Sequence, residues 1–284
     1  MDRVIKEQKD LTFLDWSKIR ESAGTAGSFL KSYMKYQGKK IYFKLSDYNK
    51  MDQSFGHECV NEIIVDRLLD ILGIEHVKYY LINSEIVLDD KNIETYLCAS
   101  YDFKEKDEVK SPLDSFYELK KQSGEEILEF CERYGFLETI HKMMIIDYII
   151  LNRDRHGANI EVLYNEKKGE YRIAPLFDHG LSFFCKTEED ELDEIDVMEK
   201  RKTNSFIGSR FLVDNLKLIK NMPRLNFLTK KDKNIIFQDL EGIISKKRID
   251  KTWEMIWERW CYYESMCNKK WILSKKNWVF AVFW

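Results

Sequence analysis

Three oxygen-bearing side chains, Asp154, Asn159 and Asp178, stand where apolar segments stop. Asp154 and Asn159 belong to "NRDRHGAN", which breaks off the oily run "MMIIDYIIL", while Asp178 follows "YRIAPLF" and opens an Asp-His-Gly triplet. Side chains at the rim of a core are held rigidly, as a reactive constellation requires. Hard oxygen donors of this kind suit magnesium, which takes one or two protein ligands and completes its octahedron from phosphate and water. The chemistry such a set could perform is phosphoryl transfer. That reaction needs a carboxylate to orient the attacking hydroxyl, metal ligands, a lysine to neutralise phosphate charge and a flexible loop over the nucleotide.

The other parts lie upstream in a usable order. Lys44, in "KKIYFKLS", is the candidate phosphate lysine, and Glu62 on the segment after it could hold that lysine in place. Glu58 lies one turn earlier and is the alternative partner. "SAGTAGS", residues 22–28, offers Gly24, Thr25, Gly27 and Ser28, small enough for a backbone to approach phosphates closely. It lacks the Gly-Lys-Ser/Thr ending of nucleotide-hydrolase loops. The five-residue step from Asp154 to Asn159 is the catalytic-loop spacing of protein kinases, and Asp178-His179-Gly180 stands where those enzymes carry Asp-Phe-Gly. Each part is common by itself. Their order, each on the element its task requires, carries the reading.

The elements that must position these residues can be read from periodicity. "SYMKYQGKKIYFKLS" is a hairpin turning at Gln37-Gly38. Residues 57–72 place Ile63, Leu68, Leu69 and Leu72 on one helical face, with Gly73 at the C-cap. "HVKYYLI" and "TYLCASYDF" read as strands; after Phe103 the chain turns polar and strand signals nearly vanish. Residues 125–151 read as helix, "IEVLYNEKKGEYRIAPLF" as a second hairpin, and the chain beyond about 210 as helical again. The expected fold is α+β and bilobal. A β-rich N-lobe spans 1–103, and a larger helical C-lobe spans 104–284.

Bulk properties bound the rest. The chain has 284 residues, 44% hydrophobic and 33% charged, and a net charge of −3. That composition excludes disorder and gives no basic field for nucleic acid or an anionic membrane. The six cysteines form no Cys-x-x-Cys pair and are expected to be free thiols in a reducing compartment. The charged N-terminus does not read as a signal peptide, and no apolar run reaches the ~18 residues of a membrane span. The expected compartment is cytoplasmic, with secretion as an effector left open. Seven acidic residues between Glu188 and Asp196 read as a solvated loop, or as a surface favouring a basic substrate. Trp253, Trp257 and Trp260 share a helical face and are assigned to the core. His156 is expected to hold the catalytic loop's backbone by hydrogen bonds. Nothing in the composition sets an oligomeric state.

These motifs resemble the bacterial HipA-like serine/threonine kinases, whose core distantly resembles protein kinases and phosphoinositide kinases. The likeness rests on "NRDRHGAN" as Asp-x-His-x-x-Asn, on "YRIAPLFDHGLSF", on the Asn-Glu helix "NEIIVDRLLDILGIEHV" and on "SAGTAG". It implies Asp154 as catalytic base, Asn159 and Asp178 as magnesium ligands, and Lys44 on the phosphates of ATP. It also implies an adenine hinge around Leu97 to Ser100, with Ala99, acting through backbone groups. The substrate implied is a protein Ser or Thr. Ser22 is the nearest match to a loop serine that such kinases autophosphorylate, with Thr25 and Ser28 as neighbours. The chain is similar to compact members without an N-terminal subdomain, and the resemblance admits an antitoxin-like partner without requiring one. The competing reading is a kinase-shaped module that binds nucleotide without transfer. A lipid or small-molecule kinase would want basic, membrane-seeking residues near the site, and none is evident from the sequence.

Overall fold

Gln37 and Gly38 both take positive φ, 49° and 76°, the two-residue turn whose twist matches paired strands. It joins two strands of a five-stranded sheet seen in a computed structural model that describes residues 3–17, 29–49 and 54–281, with side chains through Asn268. The sheet contains β1 (Val4–Asp10), β2 (Lys31–Tyr36), β3 (Lys39–Lys44), β6 (Tyr79–Leu88) and β7 (Lys91–Tyr101), in the order β1-β6-β7-β3-β2. Two short strands, β4 (Tyr48–Asn49) and β5 (Ser54–Phe55), pair with each other before α1 (Glu58–Leu72). The loop residues Ser22, Gly24, Thr25, Gly27 and Ser28 lie outside the described residues.

Strand β1 carries so many charges that no apolar alternation marks it. It pairs in parallel with β6, and Arg3 just before it forms ion pairs with Asp66 and Asp70 of α1. One face of the sheet closes over a small core of Leu14, Phe43, Leu45, Ile86, Leu97 and Ala99. Helix α1 is buried nearly all round, because the sheet covers one side and the C-terminal half the other. Gly73 ends it in the left-handed conformation at φ 69°.

The C-terminal half is built around α4 (Leu137–Ile150), buried from Met143 to Ile150. Before it come β8 (Glu108–Pro112), α2 (Leu113–Lys120) and α3 (Ile127–Arg133); after it come β9 (Asp154–Arg155), β10 (Glu161–Asn165), β11 (Glu170–Ile173) and β12 (Asn204–Ser205). Helices α5 (Leu212–Leu218), α6 (Asp232–Ile236) and the long α7 (Lys246–Ala281) complete it. The helix expected over 125–151 is two, broken where Gly135 takes φ 74°. Strand β8 falls where strand signals vanish. Its polar sequence is tolerated because it pairs with β10, and because buried Glu108 takes a two-pronged ion pair from Arg172 at 2.8 and 2.9 Å. Trp260 is buried, and Trp253 stacks on Trp257 against the core. All six cysteines are free, and among the described residues no helix is long and apolar enough to cross a membrane.

Candidate active site

Helix α4 hands its chain to the catalytic loop through Leu151, whose φ of 50° reverses direction. Asn152 then folds back on the helix. Its backbone and side-chain nitrogens donate to Asp147 at 2.9 Å each, and its side-chain oxygen accepts from the backbone nitrogen of Asp154 at 3.2 Å. Arg155 is fully buried and completes the brace. Its Nε and Nη2 reach the Asp147 carboxylate at 3.0 Å, while its Nη1 donates to the carbonyls of Asn159 at 3.1 Å and Phe177 at 2.7 Å. One guanidinium therefore ties the loop of Asp154 and Asn159 to the segment that delivers Asp178. Gly157 is required where the loop crosses α2, because a Cβ there would meet Asp114 at 2.4 Å.

Asp178 itself sits at φ 60°, a strained conformation for a residue with a side chain, of the kind that collects at reactive sites. Lys44 Nζ bridges Asp178 Oδ1 at 2.5 Å and Glu62 Oε1 at 3.0 Å. Burial works against the lysine's charge, but the Asp178 and Glu62 carboxylates outweigh it and hold the ammonium well above the ordinary lysine range. Glu62 Oε2 accepts the backbone N–H of His179 at 2.9 Å, so one side chain fixes both the lysine and the Asp-His-Gly turn. Asn61, its neighbour on α1, donates to the carbonyls of Gly180 and Ser182 at 2.9 and 3.0 Å. At Gly180 a Cβ would meet the Glu58 Cβ at 3.0 Å and its carbonyl oxygen at 3.2 Å, so any side chain there would crowd the turn against α1. Glu58 faces elsewhere, accepting from the Asp47 backbone at 3.2 Å. Burial, with help from Arg155 and His76, pushes the His179 imidazole well below its usual range, so that ring is neutral.

Lys44 and Asp178 line a cavity of about 870 Å³ roofed by the sheet. Its wall includes Lys31, Lys35, Lys40 and Lys110 beside Asp15 and Glu161, so lysines outnumber carboxylates in the cleft, a property the linear sequence conceals. The lysines are interleaved with aromatic rings: Lys40 lies 3.8 Å from the centre of Tyr33, and Lys110 lies 4.7 Å from that of Phe103. Leu97 and Ala99 point into the core on the far side of the sheet, and Cys98 and Ser100 face the cavity. Strand β7 pairs with β6 along its length and with β3 from Cys98 to Tyr101. The chain leaves the ladder only at Asp102, and Phe103 then stacks on Phe177 at 5.7 Å beside the cavity.

Asp154 and Asn159 lie outside that cavity lining and are joined to it through Arg155. The Asn159 amide nitrogen donates to the Asp154 carbonyl at 2.9 Å, which turns its side-chain oxygen into the group a cation would take. The Asp178 carboxylate is a second hard oxygen donor, and donors of this kind suit magnesium. His156 does not perform the backbone-holding task expected of it; Arg155 does, and the His156 ring stands 3.8 Å from Asp154 Oδ2. The acidic run is partly neutralised, since Glu189 pairs with Arg248 and Asp193 with Lys247, both on α7. Beyond it, buried Arg259 donates to the carbonyls of Val197 and Glu199 at 2.8 and 3.2 Å, anchoring the segment after Asp-His-Gly. Asp147, Arg155, Asn61 and Asn204 were not legible as site residues, because their partners are carbonyls or side chains that only the fold brings opposite them.

A family profile described as phosphatidylinositol 3- and 4-kinase matches residues 5–206, most of the chain and all the residues just placed except the α7 anchors. The chain belongs to that family. It is 23% identical over 239 residues to the serine/threonine-protein kinase CtkA of Helicobacter pylori, covering 78% of this chain and 71% of that one. The crystal structure of the proinflammatory kinase CtkA from Helicobacter pylori superposes with a TM-score of 0.60 at 18% identity, over 93% of this chain and 98% of the other. The kinase-like fold expected from the sequence is borne out by this likeness. HipA of Shewanella oneidensis, solved with HipB and operator DNA, aligns at a TM-score of only 0.37 and 13% identity, with 89% of this chain covering 65% of that one.

Proposed function

We propose that the chain is an ATP- and magnesium-dependent kinase that phosphorylates protein Ser or Thr hydroxyls. The observation that supports this best is Lys44 clasped between Glu62 and Asp178 at the wall of a lysine-rich cavity. In this reading Lys44 and the cavity lysines hold the phosphates of ATP. Asp154 accepts the proton of the substrate hydroxyl as its oxygen attacks the γ-phosphorus and ADP departs. Asn159 and Asp178 would hold magnesium, which when bound neutralises charge on the phosphate oxygens. Arg155 keeps the base and the metal-holding segment in register. The name of the CtkA relative favours protein over lipid as the acceptor. Autophosphorylation at Ser22, Thr25 or Ser28, and a role as toxin or effector with an antitoxin-like partner, are part of the proposal.

Incubation with ATP and magnesium followed by mass spectrometry tests it. Phosphate should appear on Ser or Thr of the protein itself or of an added protein, and Asp154→Ala should lower the rate by about 10³-fold or more. A wild type as silent as Asp154→Ala, though stabilised by ATP, would instead mark a nucleotide-binding module. Phosphate appearing only on an added phosphoinositide would move the acceptor to lipid.

A further inference from the structure

The segment after Asp-His-Gly returns to the catalytic loop as β12, pairing in parallel with β9 so that Asn204 stands beside Asp154. The pairing is made by backbone: the Asn204 nitrogen donates to the Arg153 carbonyl at 2.8 Å, and the Phe206 nitrogen to that of Arg155 at 2.9 Å. The Asn204 side chain is therefore surplus to the ladder. It is exposed, and its Nδ2 donates to Asp154 Oδ1 at 2.8 Å. The second carboxylate oxygen, Oδ2, is the one facing His156 at 3.8 Å. A carboxylate with one oxygen pinned from outside and its backbone nitrogen pinned by Asn152 has little freedom to rotate. Such restriction is what turns a surface aspartate into an aimed base.

Resting on the kinase reading above, we propose that Asn204 is the positioning residue for Asp154. It fixes Oδ1 so that Oδ2 meets the acceptor hydroxyl, and it places the acceptor-side segment directly on the catalytic loop. Asn204 touches neither the cavity lysines nor Lys44, so its contribution falls on the transfer step and not on nucleotide binding.

Three variants test this. Asn204→Ala removes the donor, Asn204→Asp keeps the shape but replaces the donor with an acceptor, and Asn204→Gln restores an amide on a longer stem. Steady-state transfer to a protein acceptor should fall about 10- to 100-fold in kcat for Asn204→Ala. The fall should be larger for Asn204→Asp, where two carboxylates would face each other, and partly recovered in Asn204→Gln. KM for ATP and the thermal midpoint should stay within twofold and a few degrees of wild type, because the ladder bonds are backbone bonds. A role in shape alone would leave Asn204→Asp as active as wild type. If the wild type transfers phosphate and all three variants stay within twofold of it, this proposal is overturned and the kinase reading stands. A wild type that transfers nothing sinks both.

Discussion

The guanidinium of Arg155 donates to the carbonyl oxygen of Phe177 at 2.7 Å, 22 residues away, while its other edge grips Asp147. Asp147 lies in α4, Arg155 in the catalytic loop, and Phe177 directly before the strained Asp178. A single ion pair thus sets the distance between the loop that carries Asp154 and the turn that carries Asp178. Arg155→Ala would leave the Asp147 carboxylate buried without a cation, a change that costs about 3–5 kcal/mol. Arg155→Lys keeps the charge, but an ammonium cannot span a carboxylate and two carbonyls at once. Denaturant unfolding should show a smaller loss for the lysine variant than for alanine, whereas phosphoryl transfer should fall about 10²-fold in both.

The lysine clasp gives a stability cycle. Glu62 is fully buried and faces Lys44 at 3.0 Å, so Lys44→Met leaves a carboxylate stranded beside Asp178. That variant should lose about 2–4 kcal/mol, and adding Glu62→Gln should recover part of it. Independent, additive losses would show that the two side chains are not coupled in solution. ATP with magnesium should raise the melting temperature of the wild type and not that of Lys44→Met.

Acid should loosen the fold through His57. Burial, with Arg248 nearby, lowers its pKa to about 4 from an ordinary value near 6.5. The folded value is the depressed one, so the unfolded chain binds more protons between these limits. The stability is complete above about pH 6.5 and is lost as pH falls towards 4, with His179 acting in the same direction. His57→Gln should flatten the slope of unfolding free energy in that window by about 2 kcal/mol overall, after allowance for its partial exposure. Equal slopes in the two proteins would exclude His57 as the sensor.

Much of this architecture can be read from the linear sequence, and the misses share a cause. The β2–β3 hairpin, α1 and the β10–β11 hairpin follow from Gln37-Gly38, from the 3.6-residue period ending at Gly73, and from strand runs meeting at a polar turn. Lys44, Glu62 and Asp178 were legible because charged groups interrupt apolar runs. Strands β1 and β8 were not, since charges break their apolar pattern and partners such as Asp239 for Lys6 and Arg172 for Glu108 lie far off in sequence. Alternation marks the strand of Leu97 to Ser100 but does not say that β3 and β6 flank it. Arg155 and Asn204 look like any loop polar residue until the carbonyl or carboxylate opposite them is known.

Helix α1 is fastened at two levels: Asn61 to Gly180 and Ser182, and Arg67 to the carbonyls of Ile236 and Gln238 at 3.0 and 2.6 Å. Swinging it outward would strip four hydrogen bonds, three of them buried and two from a charged donor, at a cost of about 4 kcal/mol or more. A conformer that costly is populated below roughly one molecule in a thousand, and any compound that needs it loses affinity by the same factor. Drug-like molecules that wedge behind a displaced regulatory helix should therefore pass this protein by, leaving the lysine-lined mouth of the cleft as the place to aim.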